Sequence, residues 1–379
     1  MATDFSKLTL SVHAGSEGDP LFGGMATPLY PSSAYDYLHT DEGSIYPRYY
    51  NTPNQKAVVT KLAALEGAED GVFFSSGMAA ILSSVLSFME SGKHAVFQRD
   101  LYGGTFNAIT EEMQRFGMEF SFVESTDPDA FEEAIRSNTR VIYIETPSNP
   151  TLKITPIRAI VDIARKHELV TIIDNTFASP INQNPLSLGI DIVTHSGTKY
   201  IGGHSDIICG VALGRRDHIE RIRKHAKNYG GNADAYTAWL VERSLKTLAL
   251  RVRQQNANAM AIASFLQQEP RIGKVFYPGL PGHPGHDIAK EQMTGGFGGM
   301  LSFEVPGDPD AFMNRLKLIS RAISLGGVET TITSPARTSH SKLTAEERKQ
   351  MQVSDSLLRL SVGIEEGGDL IEDIRQALH

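Results

Sequence analysis

The stretch LVTIIDNTFASPINQNPLSLGIDIVTHSGTK, residues 169–199, contains two short apolar runs that each lead into a polar segment. Such runs, rich in β-branched residues, predict buried strands at 169–173 and 192–195. Asp174 follows the first strand, and Lys199 lies a few residues beyond the second. A lysine amine can form an imine with an aldehyde, and a carboxylate can keep a pyridine nitrogen protonated. The pair suits pyridoxal phosphate, although a lone lysine is more often a solvated surface charge.

On both sides of this stretch, short apolar runs alternate with segments of helical spacing. The predicted strands are residues 72–74, 94–98, 120–124, 141–144, 169–173 and 192–195, and the predicted helices are 77–90, 104–116, 129–137 and 157–167. This alternation predicts an α/β fold with a mostly parallel sheet, in which ligands lie at the carboxyl ends of the strands.

The chain also divides into three parts by pattern. Residues 1–50 are rich in Pro, Gly and Tyr and predict an extended N-terminal arm. A large domain is expected over residues 51–245 and a smaller C-terminal α/β domain over 246–379. A continuous helical stretch over 235–268 is expected to lead from the large domain into the small one.

Composition excludes several classes of function. The 379 residues are 41% hydrophobic and carry a net charge of −8 with scattered basic residues, so neither nucleic acid nor membrane is an expected partner. The absence of an apolar leader and the single cysteine, Cys209, predict a cytoplasmic protein without disulfides. His283 and His286 are separated by Pro and Gly, which predicts a loop, and no metal site is expected.

The segment SSGM, residues 75–78, follows a predicted strand and begins an apolar helix. Free amides at a helix N-terminus can hold a phosphate dianion, and glycine permits its close approach. A serine N-cap explains the same pattern without a ligand. Ser196 and Thr198 offer two more hydroxyls beside the lysine. P-loop and dinucleotide-binding spacings are absent, so nucleotide binding is not expected.

These segments, together with ETPSNP at 145–150, DNT at 174–176 and SGTK at 196–199, resemble the Cys/Met-metabolism, or trans-sulfuration, family of pyridoxal phosphate enzymes. The similarity runs over nearly the whole chain. It implies the fold-type I, aspartate aminotransferase-like architecture of pyridoxal phosphate-dependent transferases, with pyridoxal 5′-phosphate as the cofactor and a sulfur amino acid as the substrate.

The resemblance assigns roles to individual residues. Lys199 would be the Schiff-base lysine and general base, and Asp174 would bind the pyridine nitrogen. Tyr102 would stack on the cofactor ring and exchange a proton near the leaving group. The other implied cofactor ligands are Thr176, Ser76, Gly77, Met78, Asn149, Ser196 and Thr198. Arg359 would clamp the substrate α-carboxylate, and Ser324 would line the same pocket.

Tyr46 and Arg48 match a family element that reaches the phosphate of a neighbouring subunit. The resemblance therefore implies a homo-oligomer, at least a dimer, with a tetramer built as a dimer of dimers as the expected assembly. Pro47 stands where the family has serine. Arg337 is a second departure, and it adds a charge near the expected substrate entrance.

Ile45 and Ile323 stand where cystathionine-processing γ-enzymes of the family commonly carry acidic residues. Apolar side chains cannot pair with the distal ammonium of cystathionine, which favours a smaller, uncharged tail such as that of methionine. Gly104, however, stands where methionine γ-lyases usually carry cysteine.

We therefore expect a carbon–sulfur lyase that acts by γ-elimination, of the methionine or cystathionine γ-lyase type, and releases 2-oxobutanoate, ammonia and a thiol. The alternatives are γ-replacement, as in cystathionine γ-synthase or O-acylhomoserine sulfhydrylase, and β-elimination, as in cystathionine β-lyase.

Overall fold

The computed structural model describes residues 5–38, 43–339, 341, 344, 346, 348 and 351–379. In this part of the chain, seven strands form a large sheet in the order β1-β7-β6-β5-β4-β2-β3. They are β1 Asp70–Phe74, β2 His94–Gln98, β3 Glu119–Val123, β4 Thr139–Glu145, β5 Val170–Asp174, β6 Ile192–Ser196 and β7 Gly210–Gly214. Strands β2 to β6 are parallel to their neighbours, whereas β7 runs antiparallel to both β6 and β1. The predicted mostly parallel α/β sheet is confirmed.

Helices cover both faces of this sheet, as its buried strands require. The α-helices of the described residues are α1 Lys7–His13, α2 Pro53–Glu66, α3 Gly77–Leu86, α4 Gly103–Asn107, α5 Pro128–Glu133, α6 Ile157–Lys166, α7 Ser179–Asn182, α8 Arg216–Tyr229, α9 Ala235–Leu245, α10 Leu248–Gln268, α11 His286–Gln292, α12 Pro309–Arg315 and α13 Gly367–Ala377. Helices α3 and α8 pack on one face, and α2, α6 and α9 pack on the other.

A second sheet of five strands lies in the C-terminal part of the described chain, in the order β10-β11-β12-β9-β8. Its strands are β8 Val275–Phe276, β9 Met300–Glu304, β10 Ser320–Arg321, β11 Thr331–Thr333 and β12 Leu357–Ser361. Helix α10 packs its first turns in the core of the large sheet and its last turns in the core of the small one. The site residues on β12 are therefore held to the large sheet through α10.

The structure differs from the sequence-based expectations at three places. The helical stretch 235–268 is broken at Lys246 and Thr247, where the Ser244 carbonyl accepts the Thr247 amide at 3.2 Å and the Arg251 guanidinium at 3.0 Å. The helix expected at 104–116 is α4 followed by a π-helical turn at Ala108–Met113. Strand β7 was not predicted, since its Gly-rich sequence gives little strand signal.

The N-terminal arm is anchored at its start and exposed beyond it. Helix α1 packs on α2, and the buried Lys61 ammonium donates to the carbonyls of Ser11 and Val12 at 3.1 and 3.2 Å. Farther along, Leu21, Phe22 and Met25 are 83%, 89% and 85% exposed. The arm thus presents large apolar side chains outside the core of its own chain.

Candidate active site

Lys199 lies in a tight turn just beyond β6. Its backbone amide donates to Ser196 O at 3.2 Å, and its carbonyl accepts from the Gly203 amide at 2.7 Å. The Lys199 Nζ donates to Ser324 Oγ at 2.8 Å. Ser324 has a φ of 87°, a left-handed conformation that is strained in a non-glycine residue and that recurs at functional sites.

The loop that carries Ser324 approaches the lysine turn very closely. A Cβ atom on Gly326 would lie 2.7 Å from the Tyr200 amide nitrogen and 3.1 Å from the Lys199 carbonyl carbon. Only glycine allows this approach, and its φ of 75° also favours glycine. This close approach places Ser324 within hydrogen-bond distance of Lys199.

Asp174 is the last residue of β5 and is buried. Its Oδ1 accepts the amide of Thr176 at 2.9 Å, and the Thr176 hydroxyl accepts the amide of Ser196 at 2.8 Å. Thr176 thus joins the carboxylate at the end of β5 to the end of β6, three residues before Lys199. The chain brings the predicted amine and carboxylate to neighbouring strand ends.

Burial changes the acidity of both groups. Burial, assisted by the positive charge of Arg359, lowers the pKa of Lys199 to about 8, while Asp174 acts in the opposite direction. Burial raises the pKa of Asp174, whereas the hydroxyl and amide of Thr176 stabilise the carboxylate and oppose that shift. A cationic ligand nitrogen beside Asp174 would offset the cost of keeping this carboxylate charged. The site therefore favours a reactive amine and an anion that needs a cationic partner.

The candidate phosphate site is the N-terminus of α3. Ser76 is its N-cap, and the Ser76 hydroxyl accepts the amide of Ala79 at 3.1 Å. The amides of Gly77 and Met78 precede the first intrahelical donors and are available to an anion. A Cβ atom on Gly77 would lie 2.8 Å from Ser196 Cβ, so this helix end meets the turn that carries Ser196. The Thr198 hydroxyl lies in the same turn but bonds the backbone of Cys209.

Arg359 occupies the middle of β12 and is 9% exposed. Its guanidinium donates to Asn149 Oδ1 at 2.9 Å and to Ser324 O at 3.1 Å. Within the described chain, Arg359 Nε and the hydroxyl of Ser148 are buried without a hydrogen-bond partner. Buried polar groups are normally satisfied, so the free Nε of Arg359 suits a ligand group with acceptor oxygens. A carboxylate fits that description.

Tyr102 precedes α4, and its side chain is 51% exposed. Its backbone amide donates to Glu145 Oε2 at 2.9 Å. A Cβ atom on Gly104 would lie 2.6 Å from the Tyr102 ring and 3.2 Å from Met78 Sδ. Gly104 therefore leaves room for the tyrosine ring in its present position, which a larger residue would disturb. Sequence reasoning missed Glu145, although it lies in the quoted segment ETPSNP.

Ile323 lines a cavity of about 370 Å³ that begins beside Ser324 and Thr198. Ile207, Ile208 and Leu325 line the cavity as well, but so do the carboxylate side chains of Asp206 and Glu329. The wall at Ile323 was expected to be apolar. Two acidic residues therefore share the cavity with the apolar ones, because the loops after Lys199 and Ser324 both line it.

The structure does not bring the arm residues to this site within one chain. Arg48 donates to the carbonyl of Lys227 at the end of α8, and the Tyr46 amide donates to Asn51 Oδ1. Ile45 is half-buried on the same segment. The hydrogen bonds of Tyr46 and Arg48 described here are therefore with their own segment and with α8.

Two other segments have ordinary structural contacts. Arg337 forms an ion pair with Asp310 on α12, which identifies the partner that the sequence could not. His283 Nδ1 accepts the amide of Gly285, and His286 Nδ1 bonds Pro278 O at 2.8 Å. Among the described residues, no helix combines the length and apolar character needed to cross a membrane.

The donors and acceptors collected here fit pyridoxal 5′-phosphate. Lys199 supplies an amine for its aldehyde, Asp174 an anion for its ring nitrogen, and the α3 N-terminus amides for its phosphate. The unsatisfied Arg359 Nε leaves a place for the carboxylate of an amino acid.

Comparison with known proteins agrees with this fit. The model of the Cys/Met metabolism PLP-dependent enzyme family matches residues 8–379. A cystathionine gamma-lyase of Bacillus subtilis is 44% identical over 98% of this chain and 99% of that protein. An L-methionine gamma-lyase of Porphyromonas gingivalis is 40% identical over 98% of this chain and 96% of that protein.

Solved structures give the same result. The crystal structure of cystathionine gamma-lyase from Lactobacillus plantarum complexed with L-serine superposes with a TM-score of 0.94. It is 40% identical and covers 98% of both chains. The chain therefore belongs to the Cys/Met metabolism family of PLP-dependent enzymes. The predictions of fold-type I architecture, pyridoxal 5′-phosphate and a carbon–sulfur lyase class are confirmed.

Proposed function

We propose that this enzyme catalyses γ-elimination on a sulfur amino acid and releases 2-oxobutanoate, ammonia and a thiol. The observation that carries the proposal is the cavity of about 370 Å³ lined by Ser324, whose hydroxyl accepts a hydrogen bond from Lys199 Nζ. Arg359 donates to the Ser324 carbonyl, so a substrate carboxylate held by Arg359 would lie beside Ser324 and its sulfur-bearing tail would extend towards the isoleucines of this cavity. The relatives named as γ-lyases support the same reaction type.

Each site residue would have its own role in the reaction. Bound pyridoxal phosphate supplies an electron sink that makes the substrate α-hydrogen acidic. Lys199 would take that proton, because an amine with a pKa of about 8 is partly neutral near physiological pH. Tyr102, half exposed beside Met78, would give a proton to the departing sulfur. Arg359 would hold the substrate carboxylate through its planar guanidinium.

Cystathionine is the second candidate substrate beside methionine. The carboxylates of Asp206 and Glu329 line the cavity, and the hydroxyl of Ser205 donates to Glu329 at 3.3 Å. A distal ammonium entering this cavity would meet negative charge, which offsets its loss of water. These carboxylates favour cystathionine over methionine, whereas the apolar side chains of Ile45 and Ile323 favour methionine.

The keto acid that forms distinguishes γ-elimination from β-elimination, and the rate with each substrate distinguishes methionine from cystathionine. Purified enzyme would be given methionine, cystathionine, cysteine and O-acylated homoserines in turn, with Lys199→Ala as the inactive control. Cleavage of cystathionine by γ-elimination gives 2-oxobutanoate and cysteine, whereas β-elimination gives pyruvate and homocysteine. Formation of pyruvate and homocysteine, or of cystathionine from O-acylhomoserine and cysteine without lyase activity, would refute the proposal.

We further propose a homo-oligomer, at least a dimer and, in full, a tetramer. In their own chain Arg48 bonds the end of α8 and Tyr46 is exposed, and we propose that both complete the phosphate site of a second subunit. The exposed Leu21, Phe22 and Met25 offer an apolar surface for the same contact. Localisation in the cytoplasm stays a prediction from composition.

A further inference from the structure

Glu145 is a buried carboxyl group at the centre of the site that has no role so far. It is the last residue of β4, 4% exposed, and directly opposite Asp174 in the register of β4 with β5. Two carboxyl groups thus end neighbouring strands below the candidate cofactor site. Asp174 has the ring nitrogen as its expected partner, whereas Glu145 must be explained by contacts within the chain.

The contacts of Glu145 lead to a residue that faces the cofactor. Its Oε2 accepts the backbone amide of Tyr102 at 2.9 Å, and the backbone amide of Asn149 also stabilises this carboxyl group. The main chain of Glu145 is itself fixed, because Gln98 at the end of β2 donates to its carbonyl at 2.9 Å. Thr155 in turn holds Gln98 through its side-chain oxygen at 2.9 Å. The carboxyl group is therefore a rigid anchor between the end of β4 and the loop after β2.

The Tyr102 ring lies against Gly104, which leaves room for it. Tyr102 is 51% exposed. Its carbonyl accepts the amide of Phe106 in the first turn of α4. The direction of the ring therefore depends on where the backbone at Tyr102 is held. We propose that Glu145 is a positioning residue, which sets the Tyr102 ring over the cofactor site by holding the Tyr102 amide.

The protonation state of Glu145 gives the proposal a specific consequence. Burial raises the pKa of Glu145 well above its ordinary value, and the Asp174 carboxylate opposite raises it further. Two adjacent buried anions are unfavourable, so a pyridinium that stabilises the Asp174 carboxylate favours the neutral form of Glu145. A neutral carboxyl oxygen still accepts an amide hydrogen bond. Glutamine should therefore replace Glu145 well, and leucine should not.

The first experiment measures amide hydrogen exchange in the cofactor-free protein and needs no activity. The wild-type Tyr102 amide should be protected, and Glu145→Leu should speed its exchange about ten-fold, the loss expected for one hydrogen bond. Glu145→Gln should stay within about three-fold of wild type, which is below the effect of a lost bond. A rapidly exchanging Tyr102 amide in the wild type would overturn the proposal even if the leucine variant does not fold.

Asp373 provides a matched control for this measurement. It is a buried carboxylate, 6% exposed, that accepts the backbone amides of Lys317, Leu318 and Ile319 at 2.8–2.9 Å in the small-domain region. Asp373→Leu should speed exchange at those three amides and leave Tyr102 unchanged. Faster exchange at Tyr102 in Asp373→Leu would show a general loss of stability instead of positioning.

The second experiment rests on the proposed function, since it measures turnover of the loaded enzyme. Glu145→Leu should lower kcat by about 10- to 100-fold, because small displacements of a catalytic group have effects of this size. In a Tyr102→Ala background, which keeps the backbone amide, the same change should lower kcat less than about three-fold, since interacting residues are not additive. Additive losses would overturn the role through Tyr102. A wild type without lyase activity would refute the proposed function and leave the exchange result standing.

Discussion

Thr176→Val tests the bridge between the carboxylate and the lysine turn. Thr176 is 9% exposed, and its hydroxyl accepts the Ser196 amide at 2.8 Å. The same hydroxyl and the Thr176 amide stabilise the Asp174 carboxylate. Valine has nearly the same shape but no hydroxyl, so it leaves the Ser196 amide without its acceptor.

The magnitude follows from these two bonds. An orphaned buried amide costs about 1–3 kcal/mol, and a lost hydrogen bond to a charged group costs about 1.5 kcal/mol or more. We therefore expect Thr176→Val to lower the free energy of unfolding of the cofactor-free protein by at least about 2.5 kcal/mol, the sum of the two lower limits. The pKa of Asp174 should also rise further, which weakens its hold on a ring nitrogen.

Urea unfolding of wild type, Thr176→Val and Thr176→Ser at one pH gives the comparison. Serine keeps the hydroxyl, and its loss of one methyl group should cost about 1 kcal/mol. Cofactor affinity, measured by absorbance titration, should fall for valine and not for serine. If the valine variant proves as stable as the serine variant, the bridge contributes nothing and the reasoning is refuted.

Three further outcomes are expected. Only a neutral amine adds to an aldehyde, and the pKa of Lys199 is about 8. The rate of colour development on mixing cofactor-free protein with pyridoxal phosphate should therefore rise with pH and reach half of its maximum near pH 8. A rate that still rises steeply at pH 10 would contradict this expectation. Ile323→Glu should raise the ratio of kcat/KM for cystathionine over methionine by about 5- to 100-fold, through a carboxylate that faces the distal ammonium; Ile323→Gln is the uncharged control, and an unchanged ratio in both would place recognition of the tail elsewhere. Arg48→Ala and Lys199→Ala subunits, each inactive alone, should recover part of the activity when mixed, since Arg48 is expected to serve a neighbour's site; verified mixed oligomers without activity would argue against that contact.

Much of the site could be predicted because its signals are local in the chain. The strand that ends at Asp174, the turn that carries Lys199 and the serine that begins α3 are each encoded within a few residues. Parallel strands place their carboxyl ends at one edge, so these local features predict a common site. The alternation of strands and helices likewise predicts a mostly parallel sheet, even before it is known which strands pair with each other.

Contacts between distant segments could not be predicted in the same way. The bond from Arg359 to Asn149 joins residues 210 positions apart, and that from Lys199 to Ser324 joins residues 125 apart. Both depend on how the small sheet is placed by α10 and on the close approach at Gly326. Local sequence does not predict which of these contacts forms, because the chain offers many hydrogen-bond acceptors that Arg359 or Lys199 could use.

The sequence by itself therefore determined the class of chemistry: an amine, a carboxylate and a helix N-terminus in the order that pyridoxal phosphate requires. Only the tertiary structure decided which groups act on them. Strand register put Glu145 opposite Asp174, and loop packing put Asp206 and Glu329 into the cavity behind Ile323. The physical reason is that residue type sets what a group can do, whereas the pKa and the partner of that group depend on burial and on neighbours that only folding brings together.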